Sequence, residues 1–350
     1  MKSLKLVLVS ALVASAQAWA GCLDAPRLVG VNTSGAEFNS SVLPGVINKN
    51  YIYPTPDELT FIKDQGATII RLPIRWERIQ RSLKSPLDPS ELILLQQTVQ
   101  SASNRGLCVL IDIHNYATYY ADPLTKDPAL QDGFVDLWLR LAREFNDPAT
   151  TVFGLMNEPS KIPVADWASL AKRTLAELRR SNAKNMVFVA GGHWSGVHSW
   201  FTEQNGVSSA TAFADLKDPL NRVVLEAHQY VNPYYSGTNA ECLTPDQFDA
   251  MFQKINAWAT TNNQRLFLGE FGTSATGNCL LTLDKLLQLT DNAVWRGWSY
   301  WAAGRWWPAN YPFVLTTTNV GISPQWAVLK KYFTPAATRK SPPNPPNLKR

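Results

Sequence analysis

Eight short apolar runs recur along the chain: residues 28–32 (LVGVN), 68–74 (TIIRLPI), 108–114 (CVLIDIH), 152–157 (VFGLMN), 186–192 (MVFVAGG), 223–230 (VVLEAHQY), 266–272 (LFLGEFG) and 297–304 (GWSYWAAG). They are nearly continuous in hydrophobicity, as strands covered on both faces are, and lack the strict alternation of a half-exposed antiparallel sheet. Segments of helical character separate them, at 55–65, 89–104, 130–145, 164–181, 245–260 and 280–290, with another at 324–332 after the last run. The stretch after the fifth run is less clearly helical. Several starts carry their own signals: Thr55-Pro56-Asp57-Glu58 offers a cap, a proline at the first helical position and acids in the first turn. Alternating β and α units imply a parallel sheet, and eight of them imply a closed (β/α)8 TIM barrel in a single domain over 21–333. No glycine-rich phosphate motif follows any run, which removes the usual sign of a nucleotide fold.

A barrel gathers the carboxyl ends of its strands at one face, where active sites are built. The apolar runs carry polar residues towards that end: Arg71, His114 with Asn115, Asn157 with Glu158, His228 with Tyr230, and Glu270, joined by Trp301 in the last run. Taken alone, Glu158 would serve as well for an ion pair as for catalysis. Glu270 changes that, because it too closes an apolar run, flanked by Gly269 and Gly272, which let other groups come close. Carboxylates three strands apart face each other across a small barrel's mouth, at a spacing compatible with the roughly 5 to 5.5 Å of retaining glycosidases.

Residues 1–20 combine Lys2 and Lys5 with an apolar run and an Ala18-Trp19-Ala20 end, and read as a secretory signal, so the protein is expected to be secreted and extracellular. Trp19 fits poorly with lipidation at Cys22. The formal charge of +5 comes from the ends: with the leader lysines and Arg339, Lys340, Lys349 and Arg350 set aside, the core stands near −1. Neither a nucleic acid nor a membrane partner is expected, and a monomer is. The four cysteines, Cys22, Cys108, Cys242 and Cys279, suggest disulfides in any of three pairings if all are used. The proline-rich stretch at 334–350 reads as a disordered tail, and with no second module after it, soluble or amorphous chains are the expected substrates. His114 and His228 lack a third histidine or cysteine at ligand spacing, so neither a metal nor another cofactor is expected. In Gly192-His-Trp-Ser195-Gly the serine stands one position late for a nucleophile elbow. Most of the tryptophans read as packing, but Trp301 and Trp194, with Trp306 and Trp307, lie where an indole could sit under a sugar ring.

RLP around Arg71, IDIHNY around His114, GLMNEP around Glu158, HQY around His228, LGEFG around Glu270 and GWSYWAAG around Trp301 together resemble glycoside hydrolase family 5 of clan A. Within it, the likeness is to secreted endo-β-1,4-glucanases of the cellulase type. GVNTSGAEF at 30–38 is similar to a start found in some fungal and bacterial members. The resemblance implies a retaining hydrolase of internal glucosidic bonds acting on β-1,4-glucan. It implies Glu158 as general acid/base and Glu270 as nucleophile, with Arg71 and Tyr230 holding the Glu270 charge and lowering its pKa. Asn157 would bind the sugar 2-hydroxyl, and His114 and His228 would contact sugar hydroxyls or orient the acid/base. Asn115 and Trp194 complete the substrate-binding set, with Trp301 as the sugar platform. The resemblance also implies a Cys242–Cys279 disulfide, which would leave Cys22 to Cys108. Where relatives often carry His after Asn-Glu-Pro, this chain has Ser160, and Lys161-Ile162-Pro163 is its own. A β-mannanase or mixed-linkage glucanase fits the same positions, and a silent glycan-binding protein is the reading from another class.

Overall fold

The structure is a computed structural model, described here over residues 21–308 and 310–334. The expected leader and all but the first residue of the expected tail lie outside the described residues. Eight strands pair in parallel and close on themselves: β1 (Leu28–Thr33), β2 (Ile69–Ile74), β3 (Cys108–Ile113), β4 (Thr151–Gly154), β5 (Met186–Ala190), β6 (Val223–His228), β7 (Leu266–Glu270) and β8 (Trp295–Ala303). Each strand neighbours the next in sequence, and β8 returns to β1 through Leu28 against Gly297, the closure of a (β/α)8 barrel.

Helices α1 (Pro56–Asp64), α2 (Pro89–Ser103), α3 (Pro128–Glu144), α4 (Val164–Arg180), α5 (Ser209–Phe213), α6 (Asp249–Thr261), α7 (Gly277–Leu289) and α8 (Gln325–Leu329) follow the strands in turn. The start of α1 is as its sequence requires: the Thr55 hydroxyl accepts from Glu58 N while the Glu58 carboxylate accepts from Thr55 N. After β5 only five residues are α-helical, in keeping with the weak signal there. Strand β4 stops at Gly154, earlier than its apolar run suggested. Leu155 N still bonds Phe188 O of β5 and Asn157 N bonds Ile113 O of β3, which holds Asn157 and Glu158 at the mouth.

Two apolar layers result. Inside the barrel, Leu28, Ile69, Leu110, Val152, Phe188, Val224 and Phe267 fill the floor, and a larger layer lies between strands and helices. The interior therefore has an apolar base, leaving the upper part of the barrel for polar groups. Disulfides bind two outlying segments: Cys22–Cys108 ties residues 21–24 to the start of β3, and Cys242–Cys279 ties the loop after β6 to the first turn of α7.

Candidate active site

Side chains alternate along a strand, so residues two apart on β2, β3, β6 and β7 share the inward face. This places Arg71 inside the barrel, in the middle of β2 and not at its end, with no exposed surface. Its guanidinium meets three carboxylates: Asp112 at 3.1 Å, Glu226 at 2.9 Å and Glu270 at 2.8 Å. It also donates to Asn32 Oδ1 at 2.9 Å and to Asn157 Oδ1 at 2.7 Å. Burial opposes a charge at Arg71, yet the three acids outweigh it and keep the guanidinium firmly protonated. Gly269 makes room for this packing, since a Cβ there would meet Glu226 Oε1 at 2.1 Å.

Glu270 is gripped on both oxygens. Arg71 Nη1 donates to Oε1 at 2.8 Å and the Tyr230 hydroxyl to Oε2 at 2.8 Å. Burial, and after it the Glu270 charge, raises the Tyr230 phenol well above the ordinary range, so it stays a donor.

Glu158 sits opposite, at φ 40°, on the loop after β4. Its partner is His228, whose Nδ1 lies 2.8 Å from Glu158 Oε1 while Nε2 lies 3.0 Å from Glu226 Oε1. Burial disfavours a charged imidazole, but Glu270, Glu158 and Glu226 outweigh it and lift His228 to about 10. At neutral pH the ring is thus a cation that donates in both directions. Burial would also raise Glu226, but Arg71 and His228 hold it below the usual carboxylate value. Glu158 goes the other way: burial raises it, Glu270 adds to the rise, and the His228 bond only partly offsets them. Atoms of Glu158, His228 and Glu270 lie within 4.8 Å of one another, a spacing that could also hold a metal ion. Each of the three is already engaged with the others or with Arg71, Tyr230 and Glu226.

His114 behaves differently from His228. Burial pushes it well below its ordinary value, so it is neutral. Nδ1 then donates to Asp112 Oδ2 at 2.8 Å, and Nε2 faces the Tyr116 hydroxyl at 3.2 Å and Asn157 Nδ2 at 3.3 Å. Asp112 is itself raised by burial to about 7 despite Arg71. Trp301 lies parallel to the His114 ring at 5.5 Å and keeps an edge on the cleft. Trp194 is half exposed in a turn where His193, Trp194 and Ser195 have φ 54°, 61° and 58°. Ser195, the residue of the rejected elbow, is fully buried and spends its hydroxyl on Glu226 O.

Of the expected residues, Glu158, Glu270, His114, His228, Tyr230, Trp194 and Trp301 line one cleft of about 480 Å³, with Arg71 and Asn157 beneath it. Asn115 is not at the cleft. It is buried and committed to the fold, accepting from Trp76 N at 3.0 Å and donating to Glu77 at 2.8 Å and Thr118 O at 3.1 Å. Trp307 stacks on Tyr311 at 4.1 Å and touches Phe38 edge-on, so it closes its loop. Sequence reasoning missed Asp112, Glu226 and the cleft aromatics Tyr116, Tyr234 and Tyr235.

A parallel eight-stranded barrel with a buried and a half-buried carboxylate facing each other at its carboxyl-end mouth is a scaffold suited to glycosidic bond cleavage. Residues 31–304 match the family described as Cellulase (glycosyl hydrolase family 5), and the chain belongs to that family. It is similar to endoglucanase gh5-1 of Neurospora crassa, 30% identical over 282 residues that cover 79% of this chain and 70% of that protein. Its fold is similar to the crystal structure of an endo-beta-1,4-glucanase from Xanthomonas axonopodis pv. citri, 39% identical with a TM-score of 0.85, covering 88% of this chain and 98% of that one. A structure of XacCel5A in complex with cellopentaose is 40% identical with the same TM-score, covering 87% and 99%. Clan and barrel fold are thus as the motifs implied, and the protein is a glycoside hydrolase of the cellulase type.

Proposed function

We propose that the protein hydrolyses internal β-1,4-glucosidic bonds of glucan chains with retention, Glu158 acting as acid/base and Glu270 as nucleophile. One observation carries the mechanism: carboxylate oxygens of Glu158 and Glu270 come within 4.8 Å of each other, with no room between them for the water of an inverting reaction. Glu270, fixed by Arg71 and Tyr230, attacks the anomeric carbon. Glu158, kept protonated longer than an exposed acid, gives its proton to the departing glycosidic oxygen, then removes one from the water that opens the glycosyl ester. His228 fixes the Glu158 oxygen in place and the neutral His114 orients Asn157 towards the 2-hydroxyl. Trp301 and Trp194 supply apolar surface for pyranose faces. Glucan as the substrate is supported by the cellopentaose bound to the similar XacCel5A.

Export is supported by the leader-like residues 1–20 and by two disulfides, a feature of oxidising compartments. Among the described residues, no helix is long and apolar enough to cross a membrane.

Proton NMR of the anomeric region during cleavage of cellopentaose tests the mechanism. The β-anomer should appear first and mutarotate slowly; α-anomer first would mean inversion and a wrong role for Glu270. Cleavage of mannan oligosaccharides in preference to cellopentaose would overturn the substrate.

A further inference from the structure

The cleft does not end at Trp194. A second groove of about 890 Å³ shares Tyr116 and Trp194 with it and continues between the loops after β1 and β3, past Tyr120. Its wall carries two cations, Arg75 and Lys161, and among the described residues no Asp or Glu lines it. Arg75 is over nine-tenths buried and held by the carbonyl of His114, so its charge is fixed below the groove. Glu77 Oε2 stands 3.6 Å behind it and offsets its charge, while Oε1 accepts from Asn115 Nδ2 at 2.8 Å and Tyr120 N at 2.9 Å. Asp122, between two lining residues, is taken by Lys126 at 2.6 Å. Lys161 is exposed and makes no ion pair among the described residues; only its backbone is fixed, by Tyr116 O. It belongs to the Ser160-Lys161-Ile162-Pro163 stretch that departs from the family pattern.

An unsubstituted glucan needs ring faces and neutral donors, and an unpaired lysine would add nothing for it. A carboxylate meets Lys161 while the rings of Tyr120 and Trp194 still offer surface to a sugar. We propose that this groove receives a carboxylate-bearing substituent of a glucan whose backbone lies in the catalytic cleft. Lys161 meets the anion, and Arg75, offset by Glu77, leaves Lys161 as the charge in the groove wall without a counter-ion among the described residues. The inference rests on the endoglucanase reading and makes the enzyme one that favours acidic over neutral glucans.

The test compares kcat and KM on carboxymethylcellulose and on neutral hydroxyethylcellulose. At low salt, Lys161→Gln should raise KM on the anionic polymer about three- to fivefold, as expected for an exposed ion pair, and leave the neutral polymer unchanged. Lys161→Arg should behave as wild type. Lys217→Gln, an equal charge change on the outer wall of the barrel, should alter neither substrate. The Lys161 effect should vanish near 1 M salt, where the screening length falls to about 3 Å. Equal changes on both polymers, no change on either, or a Lys217 variant that matches the Lys161 variant would overturn the groove assignment. Failure of the wild type to cut hydroxyethylcellulose would instead sink the endoglucanase reading on which it rests.

Discussion

Removing a single oxygen atom, in Tyr230→Phe, isolates one half of the double-displacement cycle. The ring remains stacked on Phe313 at 6.0 Å, and Arg71 still holds Glu270 Oε1 at 2.8 Å, so the nucleophile stays in place. What is lost is a 2.8 Å hydrogen bond to Glu270 Oε2. A hydrogen bond to a charged group is worth about 1.5 to 3 kcal/mol, or roughly ten- to a hundredfold in rate if fully expressed in a transition state. It is expressed unequally. During attack Glu270 gives up its charge to an ester and the phenol bond weakens, so its absence costs the first step little. During hydrolysis of the ester the carboxylate is the leaving group, charge returns to Oε2, and the phenol is needed. With an activated aryl β-cellobioside, whose departure needs no proton, the variant should therefore show a pre-steady-state burst approaching one aryl group per enzyme, followed by turnover slowed about tenfold or more. Unchanged kcat without a burst, or a loss confined to the burst phase itself, would show that Tyr230 does not stabilise the departing carboxylate.

Glu158→Gln should lower kcat on cellopentaose by roughly 10² to 10⁴, the range for a general acid/base, while an activated aryl glycoside still forms the ester at near wild-type rate; equal losses on both substrates would place the defect elsewhere. Glu37, buried with one oxygen accepting from Gly35 N at 2.7 Å, is raised by burial to about 7 although its hydrogen bonds oppose the rise. An acid raised on folding imposes no cost below its unfolded value near 4.5, and a cost that builds as pH climbs to 7. Glu37→Gln should thus be more stable than wild type at pH 8, by up to about 3 kcal/mol, and lose that advantage near pH 4; urea unfolding at both pH values checks this, and a pH-independent difference would refute it. Replacing Cys22 and Cys108 by alanine opens a loop of 86 residues and should cost about 4 to 5 kcal/mol on the chain-entropy account, measured by denaturant unfolding.

The barrel was legible because strands buried on both faces are apolar throughout, and because caps such as Thr55 and Glu58 mark where helices begin. Boundaries drifted where tertiary pairing decided them: the register of β4 with β3 and β5 ends at Gly154, although Leu155 N still bonds Phe188 O of β5, and an apolar run of six does not reveal that limit. Asp112 and Glu226 were passed over because each sits inside an apolar run, two residues before its histidine. A signal was nevertheless present. IDIH and LEAH place an acid two positions before a histidine, on the same inward face, and those are the pairs His114 with Asp112 and His228 with Glu226. Asn115 shows the converse: adjacent to His114, it must point the other way, into the fold. Trp301 lines the cleft, and its parallel contact with His114 depends on two strands five apart in order, which only closure of the barrel brings together.

Arg71 on β2 is tied to residues of β3, β6 and β7, strands taken from opposite sides of the ring. The cluster is therefore also a keystone of the barrel: a partly closed sheet would strand several carboxylates in the interior without their cation, a severe penalty. Assembly of the catalytic apparatus and completion of the fold become a single event, with no well-populated state that is folded yet chemically incomplete. In a urea titration, activity and the far-ultraviolet helical signal should disappear together at one midpoint, and an enzyme that has closed its barrel has, by that act, armed its site.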